Sequence, residues 1–228
     1  MGQAPAGERL LQAVLFDMDG TLVDTEPFWI AAEYELVESF GGTWNDTHAH
    51  ALVGNALLTA AEYIREHGGV PLEPAQIVDR LLDDVVRAAR HAMPWRPGAV
   101  ALLGELRAAG VPCAMVTMSY DRFASAVADA LPPGTFDAIV TGDQVLDGKP
   151  HPEAYLSAAA RLGVDPRRCV AVEDSPTGVA SAEAAGCVVV AIPHSVPIDP
   201  APSRVMVGSL VDLDVEALDA LVRDELRR

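Results

Sequence analysis

Ala13-Val14-Leu15-Phe16-Asp17-Met18-Asp19-Gly20-Thr21 sets four apolar residues directly before two carboxylates and a glycine. A run that is apolar at every position suits a strand covered on both faces, and the polar residues after it mark where the chain leaves the sheet. Runs of the same kind return at Val111–Thr117, Ala138–Thr141, Val170–Glu173 and Val188–Ile192. Between them, Ala99–Ala109, Asp121–Leu131, Pro152–Leu162 and Pro176–Ala185 repeat their apolar positions at helical spacing, with Gly110, Gly163 and Gly186 as stop signals. Strand alternating with helix predicts an α/β fold, a doubly wound parallel sheet with helices on both faces and ligands at the carboxyl ends of its strands.

The alternation breaks once. From about Glu26 to Met93 no strand pattern is found, and Phe28–Phe40, Leu57–His67 and Ala75–His91 read as amphipathic helices. Asp24-Thr25 on one side and Pro94-Trp95-Arg96-Pro97 on the other read as two hinge segments. Residues 1–24 and 95–228 are therefore expected to form the core, and residues 25–94 an inserted helical subdomain. His194–Pro202, with three prolines, reads as an irregular loop before a final helix near Val215–Leu226.

A chain of 228 residues, half of them apolar, accommodates one large domain or a core with a small insert. Sixteen basic residues against 33 acidic ones give a net charge of −17. Such a surface repels phosphate backbones and anionic lipid heads, which excludes nucleic acid and membrane surfaces as partners. Apolar runs such as Cys187–Ile192 fall far short of the roughly 18 residues of a membrane span. Met1–Arg9 lacks the basic start and apolar stretch of a signal peptide, so a cytoplasmic protein is expected. Cys113, Cys169 and Cys187 form no Cys-x-x-Cys pair and read as small core residues. His48 and His50 are two apart, the six histidines show no metal-ligand spacing, and they are expected at the surface. The basic residues are fifteen arginines and one lysine, Lys149, a compact point charge used once.

Asp17 and Asp19 stand two residues apart at the ligand-binding edge, where Gly20 lets a backbone N–H approach an anion. Paired carboxylates suit a divalent cation, or a nucleophile working with a general acid/base, although Asp-x-Asp-Gly also occurs in ordinary turns. Val116-Thr117-Met118-Ser119 brings a hydroxyl to the same edge. Lys149 follows the next strand, in a loop that is not a P-loop: five residues separate Gly142 from Gly148, and Pro150 stands where Ser or Thr is needed. Val170-Ala171-Val172-Glu173-Asp174-Ser175-Pro176 ends in a carboxylate pair, with Ser175 as a helix N-cap and Pro176 at the first helical position. Asp17, Asp19, Thr117, Lys149 and Asp174 thus emerge together at one sheet edge. Three carboxylates around one ammonium repel each other unless a cation joins them, and oxygen-only ligands favour Mg²⁺.

Asp-Met-Asp-Gly-Thr, Val-Thr-Met-Ser, Gly-Lys-Pro-His-Pro-Glu and Val-Glu-Asp-Ser-Pro-Thr-Gly-Val, in this order and with a helical insert after the first, resemble the four motifs of the haloacid dehalogenase superfamily. The resemblance runs from Ala13 to Ile192 and is to the phosphatase and β-phosphoglucomutase-like branch. It implies a Rossmann-like core, a helical cap and a small-molecule phosphate ester as substrate, turned over through an aspartyl-phosphate. By that resemblance Asp17 attacks phosphorus, while Asp19 protonates the leaving oxygen and then activates water. Phosphate would be held by Asp17, Met18, Asp19, Gly20, Thr117, Met118 and Lys149, with Lys149 balancing the negative charge. Mg²⁺ would sit on Asp17, the Asp19 backbone carbonyl and Asp174, with Glu173 as a direct or water-mediated helper.

Departures from the family pattern narrow the reaction. Dehalogenases of the superfamily lack the acid at the position of Asp19 and use no metal. Phosphonate-cleaving relatives need a cap lysine, which this insert lacks. Mutases commonly carry a hinge His where this chain has Trp29, together with a cap lysine, so a phosphatase is the better reading, with a phosphomutase or a non-catalytic phospho-ligand binder as alternatives. Trp29, Asn55 and Arg65, with Trp44 and Arg96, are candidates for lining the cap side of the pocket. A monomer or small homo-oligomer is expected, and sugar phosphates, polyol phosphates and nucleotides all stay open as substrates.

Overall fold

The computed structural model describes residues 9–52 and 56–227. Among them, β1 (Ala13–Phe16), β2 (Cys113–Val116), β3 (Ala138–Val140), β4 (Cys169–Glu173), β5 (Val188–Ala191) and β6 (Arg204–Met206) form one sheet in the order β3-β2-β1-β4-β5-β6. Every pairing is parallel. β1, β2, β4 and β5 are buried at every position, as their uninterrupted apolar runs require, while the edge strands β3 and β6 are only partly covered.

Alternate residues of β1 face opposite layers. Val14 and Phe16 pack with α5 (Ala99–Ala108) and α9 (Val215–Glu225). Ala13 and Leu15 pack with α7 (Glu153–Leu162) and α8 (Pro176–Ala184). From β1 the chain winds one way to β2 and β3, then returns to the other side of β1 for β4, β5 and β6. The crevice between β1 and β4 is therefore the topological switch point, where open α/β sheets bind their ligands.

The insert consists of α1 (Glu26–Ser39), α2 (Asp46–Leu52), α3 (Leu57–Gly68) and α4 (Pro74–His91). Its entering and leaving segments lie side by side: Val23 bridges Trp95, and the Asp24 N–H donates to the Pro94 carbonyl at 2.9 Å. Leu36, Val37, Ile64, Ile77, Leu81 and Val85 share one apolar cluster with Phe123 and Val127 of α6 (Asp121–Asp129). Trp29 meets Phe123 edge-on at 6.0 Å, and Arg122 of α6 pairs with Asp83 of α4.

Three features differ from the sequence reading. α2 was not anticipated, because only Ala49 and Leu52 of its seven residues are buried and no periodicity is visible. β6 was missed because it is a three-residue, half-exposed edge strand. His48 is not simply a surface residue: its ring stacks on Trp44 at 4.7 Å and its Nδ1 lies 3.0 Å from the Tyr63 hydroxyl. The three cysteines are buried and free.

Candidate active site

β1 delivers Asp17 to the crevice, with its N–H donating across to the Val172 carbonyl of β4 at 3.0 Å. The chain then folds into a tight loop in which Leu22 and Val23 both donate to the Met18 carbonyl and Gly20 donates to the Val23 carbonyl at 2.7 Å. Gly20 has φ +87°, and a side chain there would overlap the carboxylate of Asp174 arriving from the end of β4. Glycine is needed on both counts. A second glycine, Gly178 in α8, makes room for Glu173 in the same way.

Lys149 reaches the crevice from the loop after β3. Its Nζ donates to Asp17 Oδ1 at 2.7 Å, to the Val116 carbonyl at 2.9 Å and to Glu173 Oε1 at 2.6 Å, so all three ammonium protons are committed. Burial works against this charge, but the carboxylates of Asp17 and Glu173 outweigh it and hold the lysine above its ordinary pKa. Glu173 is fully buried. Its Oε1 also accepts from the Tyr155 hydroxyl at 2.7 Å, and its Oε2 accepts from Ser175 Oγ at 3.1 Å.

Asp17 is pushed up to about 7, first by burial, with Lys149 opposing and Glu173 and Asp19 adding to the rise. Asp174 is pushed up to about 9 by burial and by repulsion from Asp17 and Glu173. Asp17 Oδ2 is buried and has no hydrogen-bond partner. Carboxylate oxygens of Asp17, Glu173 and Asp174 lie within 4.8 Å of one another. Crowded acids with one orphaned oxygen fit a hard divalent cation such as Mg²⁺.

Asp19 sits in a cradle of hydroxyls. Ser119 Oγ donates to its Oδ2 at 2.7 Å and Thr117 Oγ1 at 3.3 Å, while Thr25 Oγ1 donates to its Oδ1. Thr25 belongs to the first of the two segments that join the insert to the sheet, so that segment is tied directly to Asp19. The buried side chain of Met18 packs into the apolar cluster of the insert and α6. The Met118 sulfur accepts from the Lys149 N–H at 3.3 Å, which leaves only its backbone for the crevice.

Asp17, Asp19, Gly20, Thr117, Lys149, Glu173 and Asp174 are thus brought together, but the cap candidates are dispersed. Trp29 is half-buried against Phe123, and Arg65 is exposed and pairs with Glu73 at 3.6 Å. Trp44 is buried, its indole donating to Glu33 Oε2 at 3.1 Å, and the Arg96 N–H donates to the Leu22 carbonyl at 2.8 Å. Asn55 lies outside the described residues. Sequence reasoning overlooked Thr25, Tyr155 and Gly178. Tyr155 reads as an ordinary core residue of an amphipathic helix, and only the motif flanking Asp174 hints at Gly178.

Comparisons with known proteins point to one family. A model described as haloacid dehalogenase-like hydrolase matches residues 11–186. Hexitol phosphatase A of Escherichia coli is 36% identical over 188 residues, covering 78% of this chain and 81% of that protein. A phosphorylated carbohydrates phosphatase of Thermotoga maritima is 32% identical over 186 residues, covering 77% and 82%. Among solved structures, CbbY of Rhodobacter sphaeroides in complex with phosphate superposes with a TM-score of 0.82 at 28% identity, over 92% of this chain and 99% of that one.

Proposed function

The chain belongs to the haloacid dehalogenase-like hydrolase family, and from that membership we propose that it is a Mg²⁺-dependent phosphatase of a small phosphorylated carbohydrate or polyol. The names of its relatives support the substrate class. The observation that carries the reading is the convergence of Asp17, Asp19, Lys149 and Asp174 at the switch point, with one Asp17 oxygen buried and unpartnered. Residues 25–94 are the cap and residues 1–24 with 95–228 the catalytic core.

In the proposed mechanism an Asp17 carboxylate oxygen attacks phosphorus as the ester P–O bond breaks, and the leaving oxygen takes a proton from the Asp19 carboxyl. Asp19 then removes a proton from water, whose oxygen attacks the same phosphorus, releasing phosphate and restoring Asp17. Lys149 keeps its charge throughout and offsets the negative charge on Asp17 and the transferring group. Thr117 and the backbone N–H groups of Met18, Asp19 and Met118 orient the phosphoryl oxygens, while the Gly20 N–H is already committed to the Val23 carbonyl. Mg²⁺ held by Asp17, Asp174 and the Asp19 carbonyl, with Glu173 in support, would supply further charge neutralisation. The insert carries no lysine and has Trp29 rather than a histidine at the hinge, which favours transfer to water over return of the phosphoryl group to a sugar.

Phosphate release from a panel of sugar and polyol phosphates tests this, with EDTA and Asp17→Asn as controls. Release that both controls abolish is expected, with Asp17→Asn down about a thousandfold or more. Near-normal turnover by folded Asp17→Asn would refute Asp17 as nucleophile.

A further inference from the structure

Tyr155 of α7 is among the largest fully buried side chains, yet its hydroxyl ends in the crevice wall. It donates to Glu173 Oε1 at 2.7 Å, the same oxygen that accepts from Lys149 Nζ at 2.6 Å. The centre of its ring lies 5.1 Å from that nitrogen. We propose that Tyr155 is a positioning residue that holds Lys149 against Asp17 by acting through Glu173; the inference rests on the phosphatase reading above.

Lys149 stands on a flexible four-carbon stem, and two carboxylates and a carbonyl compete for its protons. The phenol takes up part of the acceptor capacity of Glu173 Oε1, which weakens the pull of Glu173 on the ammonium relative to Asp17. Ser175 fixes the other oxygen, so Glu173 cannot rotate. The aromatic face closes the remaining side of Nζ with an attractive surface. Without the hydroxyl, Oε1 depends on Lys149 alone, and the ammonium is drawn from the nucleophile toward Glu173. Tyr155 has no exposed surface and does not reach substrate. Its effect belongs in kcat rather than KM.

Because Lys149 is the only lysine, an amine-reactive label located by peptide mapping reports its accessibility without any substrate. Tyr155→Phe keeps the ring and leaves Glu173 Oε1 paired with Lys149, so the variant is expected to fold. Acetylation of Lys149 by acetic anhydride is expected to fall about tenfold in Tyr155→Phe, because the ammonium is then held more tightly by the buried Glu173 carboxylate; the factor is the worth of one hydrogen bond to a charged group. In turnover, kcat is expected to fall about tenfold with KM within about twofold, and to fall no further when Tyr155→Phe is added to Glu173→Gln. Unchanged or increased labelling in the folded variant overturns the proposal, and so does a loss that multiplies with that of Glu173→Gln, which would mark a core-packing effect. If the wild type releases phosphate from no ester, the proposed activity fails, and the labelling comparison still decides the role of Tyr155.

Discussion

Glu33 illustrates what one buried carboxyl does to the response of a fold to pH. It lies on α1, 5% exposed, with the Trp44 indole as its hydrogen-bond donor, and burial pushes it up to about 7. Between its ordinary value of 4.5 and about 7, the folded state keeps a proton that the unfolded chain releases. Its contribution to stability is therefore fully present below pH 4.5 and is lost as pH rises through 7. Glu33→Gln keeps an acceptor for Trp44 and removes the charge. Urea unfolding at pH 5 and pH 8 should show its advantage over wild type larger by about 2 kcal/mol at the higher pH than at the lower. An unchanged difference between the two pH values would place the burden elsewhere. At Asp17 the same desolvation acts, but there Lys149 opposes it, in keeping with the nucleophile role proposed for that carboxylate.

A glycine in the first turns of a helix usually lowers stability, by about 0.5–1 kcal/mol relative to alanine. α8 keeps one at Gly178 because a Cβ there would overlap the Glu173 carboxylate. The helix is otherwise well begun, with Pro176 at its first position and Ser175 Oγ accepting the Gly178 N–H at 3.1 Å. Gly178→Ala should therefore lower stability by about 1–3 kcal/mol instead of raising it. It should also reduce turnover, since displacing Glu173 releases Lys149. Thermal melts and phosphate release on the same preparation check both signs, and a variant more stable than wild type with full turnover would contradict the packing argument.

For the molecule as a whole, the site exists because the chain reverses direction beside β1. Asp17 leaves one strand and Asp174 its neighbour, so the two acids meet only when β4 docks. A cation that binds both should therefore lock the two halves of the sheet together. Adding Mg²⁺ to metal-free protein is expected to stabilise it by about 2.7 kcal/mol at one hundred times Kd, a rise in Tm of about 5–10 °C. Asp174→Asn should lose most of that rise while remaining folded. Equal melting temperatures with Mg²⁺ and with EDTA would rule the cation out of this crevice. The insert is held to the core by a second set of contacts, Trp29 on Phe123 and Arg122 with Asp83, and by Thr25 on Asp19.

The sequence by itself determined which residues stand at strand ends. Apolar runs of four or five residues locate β1, β2, β4 and β5, and a polar residue after such a run has to leave the sheet at its carboxyl edge. That was enough to gather Asp17, Asp19, Thr117, Lys149 and Asp174. Periodicity says nothing of which strand lies beside which, so the partners of each side chain were decided by the tertiary structure. Lys149 finds Asp17 across 132 positions and Glu173 across 24 because β4 adds beside β1 while the β3 loop reaches over. Tyr155 and Thr25 acquire their roles in the same way. A buried tyrosine or threonine obeys the same local pattern wherever it falls, and only the packing of distant segments places a carboxylate next to it.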